Sequence, residues 1–252
     1  NYTLLHDDLM DNASMRRGRQ TVHIKWNANT AILSGDSMLV LAYQRMAQCD
    51  EQHLKPVLDL FTQTALEIGE GQQYDMDFEM RTDVTESEYI EMIRLKTSVL
   101  LACALKIGAI MADASETDTE KLYRFGEQMG IAFQLQDDYL DVYGNPAVFG
   151  KAIGGDILCN KKTFMLINAF ERADSNLRSE LLRWMTATDY EPQSKIAAVT
   201  EIYNKLGIDK LAKEKINYYF AESRKYLDAV SVPASRKSVL EAYTDAMMHR
   251  EV

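Results

Sequence analysis

The sequence predicts an all-α protein, a single domain over 1–252 built as a bundle of about ten helices. Three observations carry that expectation. Nearly every apolar pattern repeats with helical period, and no stretch alternates as a strand would. Helix-start signals recur, with Thr85-x-x-Glu88 and Thr117-x-x-Glu120 both of capping-box form. Pro56, Pro146, Pro192 and Pro233 all fall at expected helix starts or in loops, where a missing N–H does least harm.

Taken in order, the first helix is expected over 1–12. There Leu4, Leu5, Leu9 and Met10 supply apolar surface, and Asp7 and Asp11, four apart, share one face. An irregular loop, 13–26, carries Arg16, Arg17 and Arg19 around Gly18. Helices over 27–50 and 54–80 follow, with Leu39, Ala42, Tyr43, Met46 and Leu60, Thr64, Ile68 as stripes of core or dimer surface. Helices over 86–95, 96–114 and 118–143 come next, and Gly126 and Gly130 on the third are close-packing positions. A second irregular loop, 144–162, precedes helices over 163–186, 192–207, 208–230 and 234–249. Long irregular connections in a compact helical domain tend to be functional. Here each follows an acidic cluster.

Composition narrows the function. A hydrophobic content of 46% with 26% charged residues fits a globular protein with a substantial core. A net charge of −10 argues against nucleic acid and against an anionic membrane surface as partner. No apolar run reaches the roughly 18 residues a membrane span needs. Cys49, Cys103 and Cys159 are far apart and read as reduced thiols, so a cytoplasmic location is expected. The chain opens at Asn1 without a methionine, inside an expected helix, so a preceding segment is expected.

The chemistry sits in two clusters. Asp7, Asp8 and Asp11 crowd one helix end, and no lysine lies within a turn to relieve them. Hard oxygen ligands at this spacing suit Mg²⁺, which keeps several waters and is usually shared with substrate phosphates. The arginines just downstream match phosphate oxygens. The bland alternative is a solvated acidic helix end beside a basic loop. What weighs against it is repetition: Asp137, Asp138 and Asp141 repeat the spacing, followed by Gly150-Lys151, Gly154-Gly155-Asp156 and Lys161. If the two helices face each other, six carboxylates line one cavity, and simple charge counting asks for about three divalent cations.

At these residues the chain resembles the trans-isoprenyl diphosphate synthases (polyprenyl synthetases) of short-chain, farnesyl or geranylgeranyl type. Asp7-Asp8-Leu9-Met10-Asp11 with Arg16-Arg17-Gly18 is similar to the family's first aspartate-rich motif. Gln134-x-x-Asp137-Asp138-x-x-Asp141, with Gly150-Lys151 and Gly155-Asp156-Ile157, is similar to the second. Gly71-Gln72-x-x-Asp75 and Lys96-Thr97 match two smaller motifs in the expected order. The family's Gly-Lys-x-x-Arg segment, upstream of the first motif, is not among these 252 residues.

The resemblance implies an isoprenoid-synthase bundle around a central cavity, dimeric, with a Mg²⁺-dependent activity. Isopentenyl diphosphate joins an allylic diphosphate head to tail, giving an all-trans prenyl diphosphate and diphosphate. It implies that Asp7, Asp11 and Asp137 hold Mg²⁺ (three ions in all), with Asp8, Asp138 and Asp141 fixing waters and orienting the ligands. Arg16 would contact the allylic diphosphate and Arg17 the isopentenyl diphosphate; Lys96 and Lys151 would support departure of the leaving group. Thr97 and Gln134 would turn oxygen dipoles to the developing cation. Arg19, His23, Lys161 and Lys162 are read as structural or loop charges, although one of the two lysines could close over the phosphates. An allylic tail anchored at Asp7 would run past Tyr2, about 7.5 Å back along the axis at ~1.5 Å per residue, while Thr3 is too small to block it. A bulky residue there goes with C15 to C20 products in the family.

Two rivals remain. A class I terpene cyclase shares the fold and a first aspartate-rich motif, but usually has an Asn/Asp-Ser/Thr-Glu second metal site. A non-catalytic subunit that only binds prenyl diphosphates would not require intact motifs in both halves.

Overall fold

The computed structural model of the chain describes residues 2–145 and 153–248. The chain divides into two compact units, Asn1–Gln63 and Thr64–Val252.

The first unit holds α1 (Tyr2–Met10), the strands β1 (Met15–Arg16) and β2 (Arg19–Gln20), α2 (Val22–Lys25), α3 (Ala28–Met46) and the start of α4 (Glu51–Met80). The stretch expected as an irregular loop, 13–26, is thus a hairpin and a helical turn. Arg17 (φ 51) and Gly18 (φ 73) both lie in the left-handed region, and two such residues form the tight turn whose twist matches paired strands. Thr21 Oγ1 donates to the Ala13 carbonyl at 2.6 Å and closes the base of the hairpin. Asn27 then caps α3 by accepting from the Thr30 N–H. α1 packs on α3 through a notch at Gly35, where an added Cβ would lie 2.1 Å from His6 Nε2. His6 Nε2 donates to the Ile32 carbonyl at 3.1 Å, which sets the rotation of α1 and so the direction of its acidic face. α4 starts at Glu51 rather than 54, so Pro56 lies inside the helix instead of at its start. The carbonyl it leaves without a helical donor is that of exposed Gln52, where water can serve.

The second unit continues with α5 (Glu86–Ile93), a π-helical turn (Arg94–Ser98), α6 (Val99–Met111), α7 (Glu116–Tyr143), α8 (Gly155–Leu158), α9 (Phe164–Arg172), α10 (Ser175–Thr186), α11 (Pro192–Lys205), α12 (Ile208–Asp228) and α13 (Ala234–Met248). α7 is its axis, packed along α6 and α12. Phe125 and Leu135 of α7 join Tyr89, Phe164, Phe220, Ile202, Ile208 and Leu227 in a fully buried core. Gly126 and Gly130 are close-packing positions, as expected. A Cβ on Gly126 would lie 2.8 Å from Ala102 Cα, and one on Gly130 2.6 Å from Ser98 Cα.

Several boundaries differ from expectation for local reasons. The capping box at Thr85 forms in full. The one expected at Thr117 does not open α7; Ser115 does, its Oγ accepting from the Asp118 N–H. The helix expected over 163–186 is two, because Ala173 is extended (ψ 133) and Asp174 caps a new helix with bonds from the Asn176 and Leu177 N–H groups. The expected loop 144–162 contains α8, entered through Gly154 in the left-handed region (φ 84). Pro192 does open a helix, while Pro146 lies outside the described residues. Among the described residues, no helix is long and apolar enough to cross a membrane.

Candidate active site

In the first unit the acidic face of α1 continues one residue past the helix end. The Asp11 N–H still donates to the Asp7 carbonyl at 2.8 Å, so Asp7 and Asp11 keep helical spacing. Asp8, between them in sequence, is only 6% exposed. The hairpin folds Arg16 back onto this face, with Nε donating to Asp8 Oδ1 at 2.6 Å and Nη2 to Asp7 Oδ2 at 3.2 Å. The charge relief that no nearby lysine supplies therefore comes from an arginine eight residues on. A guanidinium carries five N–H donors, so two carboxylate bonds do not exhaust it. Arg17 stands exposed at the hairpin tip. Tyr2 is partly buried beside Tyr43 of α3; burial first, then the Tyr43 hydroxyl, push its own hydroxyl pKa up. Tyr43 in turn meets Phe61 edge-on, with ring centres 4.9 Å apart. Thr3 is partly buried on the same helix.

In the second unit the π-helical turn presents the paired Lys96 and Thr97 to different helices. The Val99 N–H reaches the Arg94 carbonyl five residues back, which widens the helix by one residue. Lys96 Nζ donates to Asp75 Oδ2 of α4 at 2.6 Å. Thr97 Oγ1 donates to Gln134 Oε1 of α7 at 3.3 Å, and Gln134 Nε2 donates to Asp138 Oδ1 at 3.0 Å. The other oxygen of Asp138, Oδ2, accepts from the buried Tyr89 hydroxyl. Room for the bulge depends on glycine: a Cβ on Gly71 would lie 2.3 Å from Lys96 N. The motif Gly71-Gln72-x-x-Asp75 thus gains a physical meaning, with Gly71 allowing the approach and Asp75 meeting the lysine.

Past α7, the chain turns back on the same acidic face. The Gly154 N–H donates to the Asp141 carbonyl at 2.6 Å, and the Asp156 N–H to Asp141 Oδ2 at 3.0 Å. Electrostatics ties these groups together. Burial first, then the Asp156 charge, push Asp138 up to about 7, against Lys161, Tyr89 and Gln134, which pull it down. Burial raises Asp75 too, but Lys161 and Lys96 outweigh it and hold that carboxyl below its usual value. Burial and the Asp138 charge drive the Tyr89 hydroxyl well up, so it stays a donor.

Each unit therefore treats its middle aspartate alike. Asp8 and Asp138 are buried and bonded by protein donors, while Asp7, Asp137 and Asp141 are only partly buried and Asp11 is exposed. Among the described residues, no three His, Cys, Asp or Glu side chains converge into a ready metal cage. Mg²⁺ takes one or two carboxylates and fills its shell with water and substrate phosphate, so this hard-oxygen donor set fits an ion shared with a diphosphate.

Of the expected site residues, Thr97, Gln134 and Asp138 come together in one hydrogen-bonded run, Lys96 pairs separately with Asp75, and Arg16 joins Asp7 and Asp8. Lys151 lies outside the described residues. Sequence reasoning missed Tyr89; Lys161, read as a loop charge or one that could close over the phosphates, has a charge that lowers both Asp138 and Asp75. No local pattern marks Tyr89, whose partner Asp138 lies 49 residues away.

A family model described as polyprenyl synthetase matches residues 1–205. The chain is 38% identical over 253 aligned residues to the geranylgeranyl diphosphate synthase of Methanosarcina mazei, covering 100% of this chain and 76% of that protein. It is 35% identical over 251 residues to a short chain isoprenyl diphosphate synthase of Methanothermobacter thermautotrophicus, covering 99% and 76%. A crystal structure of a geranylgeranyl pyrophosphate synthase superposes with a TM-score of 0.93 at 41% identity, covering 100% of this chain and 78% of that one.

Proposed function

The chain belongs to the polyprenyl synthetase family, and from that footing we propose that it condenses isopentenyl diphosphate with an allylic diphosphate to make C15 to C20 all-trans prenyl diphosphates. It is a short-chain trans-prenyltransferase. The observation that best supports the residue roles is the shared pattern of the two acidic clusters. In each, the central carboxylate is buried and bonded within the protein, and its neighbours are left more open.

In this reading Asp7, Asp11, Asp137 and Asp141 offer oxygens to Mg²⁺, while Asp8 and Asp138 hold the acidic faces in place through Arg16, Gln134 and Tyr89. The bound ions would supply Lewis acidity to the departing diphosphate. Lys96, oriented by Asp75, keeps ammonium donors for the allylic diphosphate, and Lys151 has the same role by family motif. Arg16 is directed to the allylic diphosphate and Arg17 to the isopentenyl diphosphate. The allylic C–O bond breaks to release diphosphate. The cation it leaves faces the oxygens of Thr97 and Gln134, whose positions are set by their mutual bond. The new C–C bond then forms, and a proton passes to the released diphosphate.

A second copy of the chain is the natural partner. The exposed apolar side chains Val40 (67%) and Leu41 (56%) follow Leu33 (65%) by about two turns on α3, leaving apolar surface that favours association. The deciding assay incubates the protein with Mg²⁺, labelled isopentenyl diphosphate and, separately, dimethylallyl, geranyl or farnesyl diphosphate. Farnesyl or geranylgeranyl diphosphate should accumulate, and a chelator should abolish it. Mg²⁺-dependent diphosphate binding without any new C–C bond would overturn the proposal.

A further inference from the structure

Lys195 lies on α11, outside both acidic clusters and both basic loops, yet it is only 1% exposed. Burying an ammonium is costly unless strong partners replace its water. Its partners here are neutral. Nζ donates to Asn160 Oδ1 at 2.8 Å and to the Leu158 carbonyl at 3.4 Å, and sits 4.6 Å from the centre of the Tyr190 ring. An apolar side chain of similar volume would fill the same space without the desolvation cost, so packing alone does not account for a lysine.

Both oxygens that Lys195 holds belong to the segment carrying Asp156 and Lys161. Asn160 sits in the left-handed region (φ 54) and is held on its other side, where Nδ2 donates to the Met185 carbonyl at 3.0 Å. The Lys161 N–H donates to the Asp156 carbonyl at 2.9 Å, and the Asp156 N–H to Asp141 Oδ2 at 3.0 Å. Hydrogen bonds, together with the backbone of the turn 156–161 itself, thus connect the Lys195 ammonium to the acidic face of α7. Asp156, Asn160 and Lys161 also share one small cavity with Lys195, of about 10 Å³. That is space for about one water-sized group.

We propose that Lys195 is a positioning residue for prenyl transfer: its buried ammonium sets the 156–161 turn so that Lys161 and Asp156 meet the metal-bound diphosphate. The inference rests on the prenyl-transfer reading above and assigns a role to a helix that reading does not use.

The test measures binding of inorganic diphosphate in Mg²⁺ buffer by calorimetry, beside KM for the allylic substrate, kcat and Tm. Lys195→Met should weaken diphosphate binding and raise the allylic KM by roughly ten- to hundredfold, the range seen when supports of metal ligands are lost. Lys195→Arg, which keeps the charge, should restore part of that loss. Asn160→Gly removes the accepting amide while keeping the left-handed backbone at no steric cost, and should weaken binding in the same direction. Lys237→Met is the control, because Lys237 is also buried (7%) but donates to the Asp228 carbonyl at 2.7 Å, at the end of α12. It should lower Tm and leave diphosphate affinity alone. Unchanged diphosphate affinity in both Lys195→Met and Asn160→Gly, or an equal loss in Lys237→Met, would overturn the proposal. Wild-type protein that binds diphosphate but makes no C–C bond would defeat the prenyl-transfer reading instead, with the binding comparison still decisive for Lys195.

Discussion

Lys96 Nζ and Asp75 Oδ2 stand 2.6 Å apart, joining the π-helical turn to α4 as a pair whose side chains are 20% and 14% exposed. The lysine of the proposed catalytic pair is therefore aimed by a carboxylate 21 residues earlier, one that belongs to neither aspartate-rich cluster. Asp75→Asn keeps the shape and removes the charge. It should lower kcat about ten- to hundredfold, as losing the support of a charged catalytic group does, while thermal unfolding changes little. Steady-state kinetics beside a melting curve would check it; normal turnover would show that Lys96 orients itself.

The bulge makes two glycines of one helix behave oppositely. At Gly71 an added Cβ meets backbone, 2.3 Å from Lys96 N, and backbone cannot swing aside. Gly71→Ala should cost about 1–3 kcal/mol, the usual penalty for overpacking, and reduce activity with it. Gly69, two residues earlier, has nothing within 4 Å of its Cβ position. Gly69→Ala should be neutral or stabilising by up to about 1 kcal/mol, since alanine is the better helix former. Denaturant unfolding of the two variants side by side separates the cases.

Acid stability should report on Asp118. Its oxygens take the Ser231 hydroxyl, the Ser231 N–H at 3.1 Å and Lys121 Nζ at 3.1 Å, which fastens the first turn of α7 to the junction of α12 and α13. The Ser231 hydroxyl first and Lys121 next hold this carboxyl down at about 2, against an ordinary 3.8. A folded-state value below the unfolded one means that the contribution is complete above 3.8 and drains away as the pH falls toward 2. Asp118→Asn should therefore be less stable at neutral pH and show a flatter decline across that window. Equilibrium unfolding between pH 2 and 7 measures both effects.

Chain length should respond to Tyr2. The ring is partly buried beside Tyr43, five positions before Asp7, the first of the proposed ligands, where an allylic tail held there would run. Tyr2→Ala should shift the product distribution upward by one or more five-carbon units, read by chromatography of the dephosphorylated alcohols. An unaltered distribution would move the tunnel floor elsewhere.

What the amino-acid order alone determined is what depends on neighbours within a turn or two. Helical periodicity and i, i+4 aspartates are local, so the all-α class and both acidic faces were readable without coordinates. Local signals also have local errors: Ser115 displaced Thr117 as the cap of α7, and Asp174 broke one expected helix into two. Tertiary structure alone decided which aspartate of each cluster is buried and bonded, and by whom. Tyr89 reaches Asp138 across 49 residues and Lys195 reaches Asn160 across 35. The fit of a buried donor to its acceptor depends on how helices pack, and packing leaves no periodic trace in the chain between them.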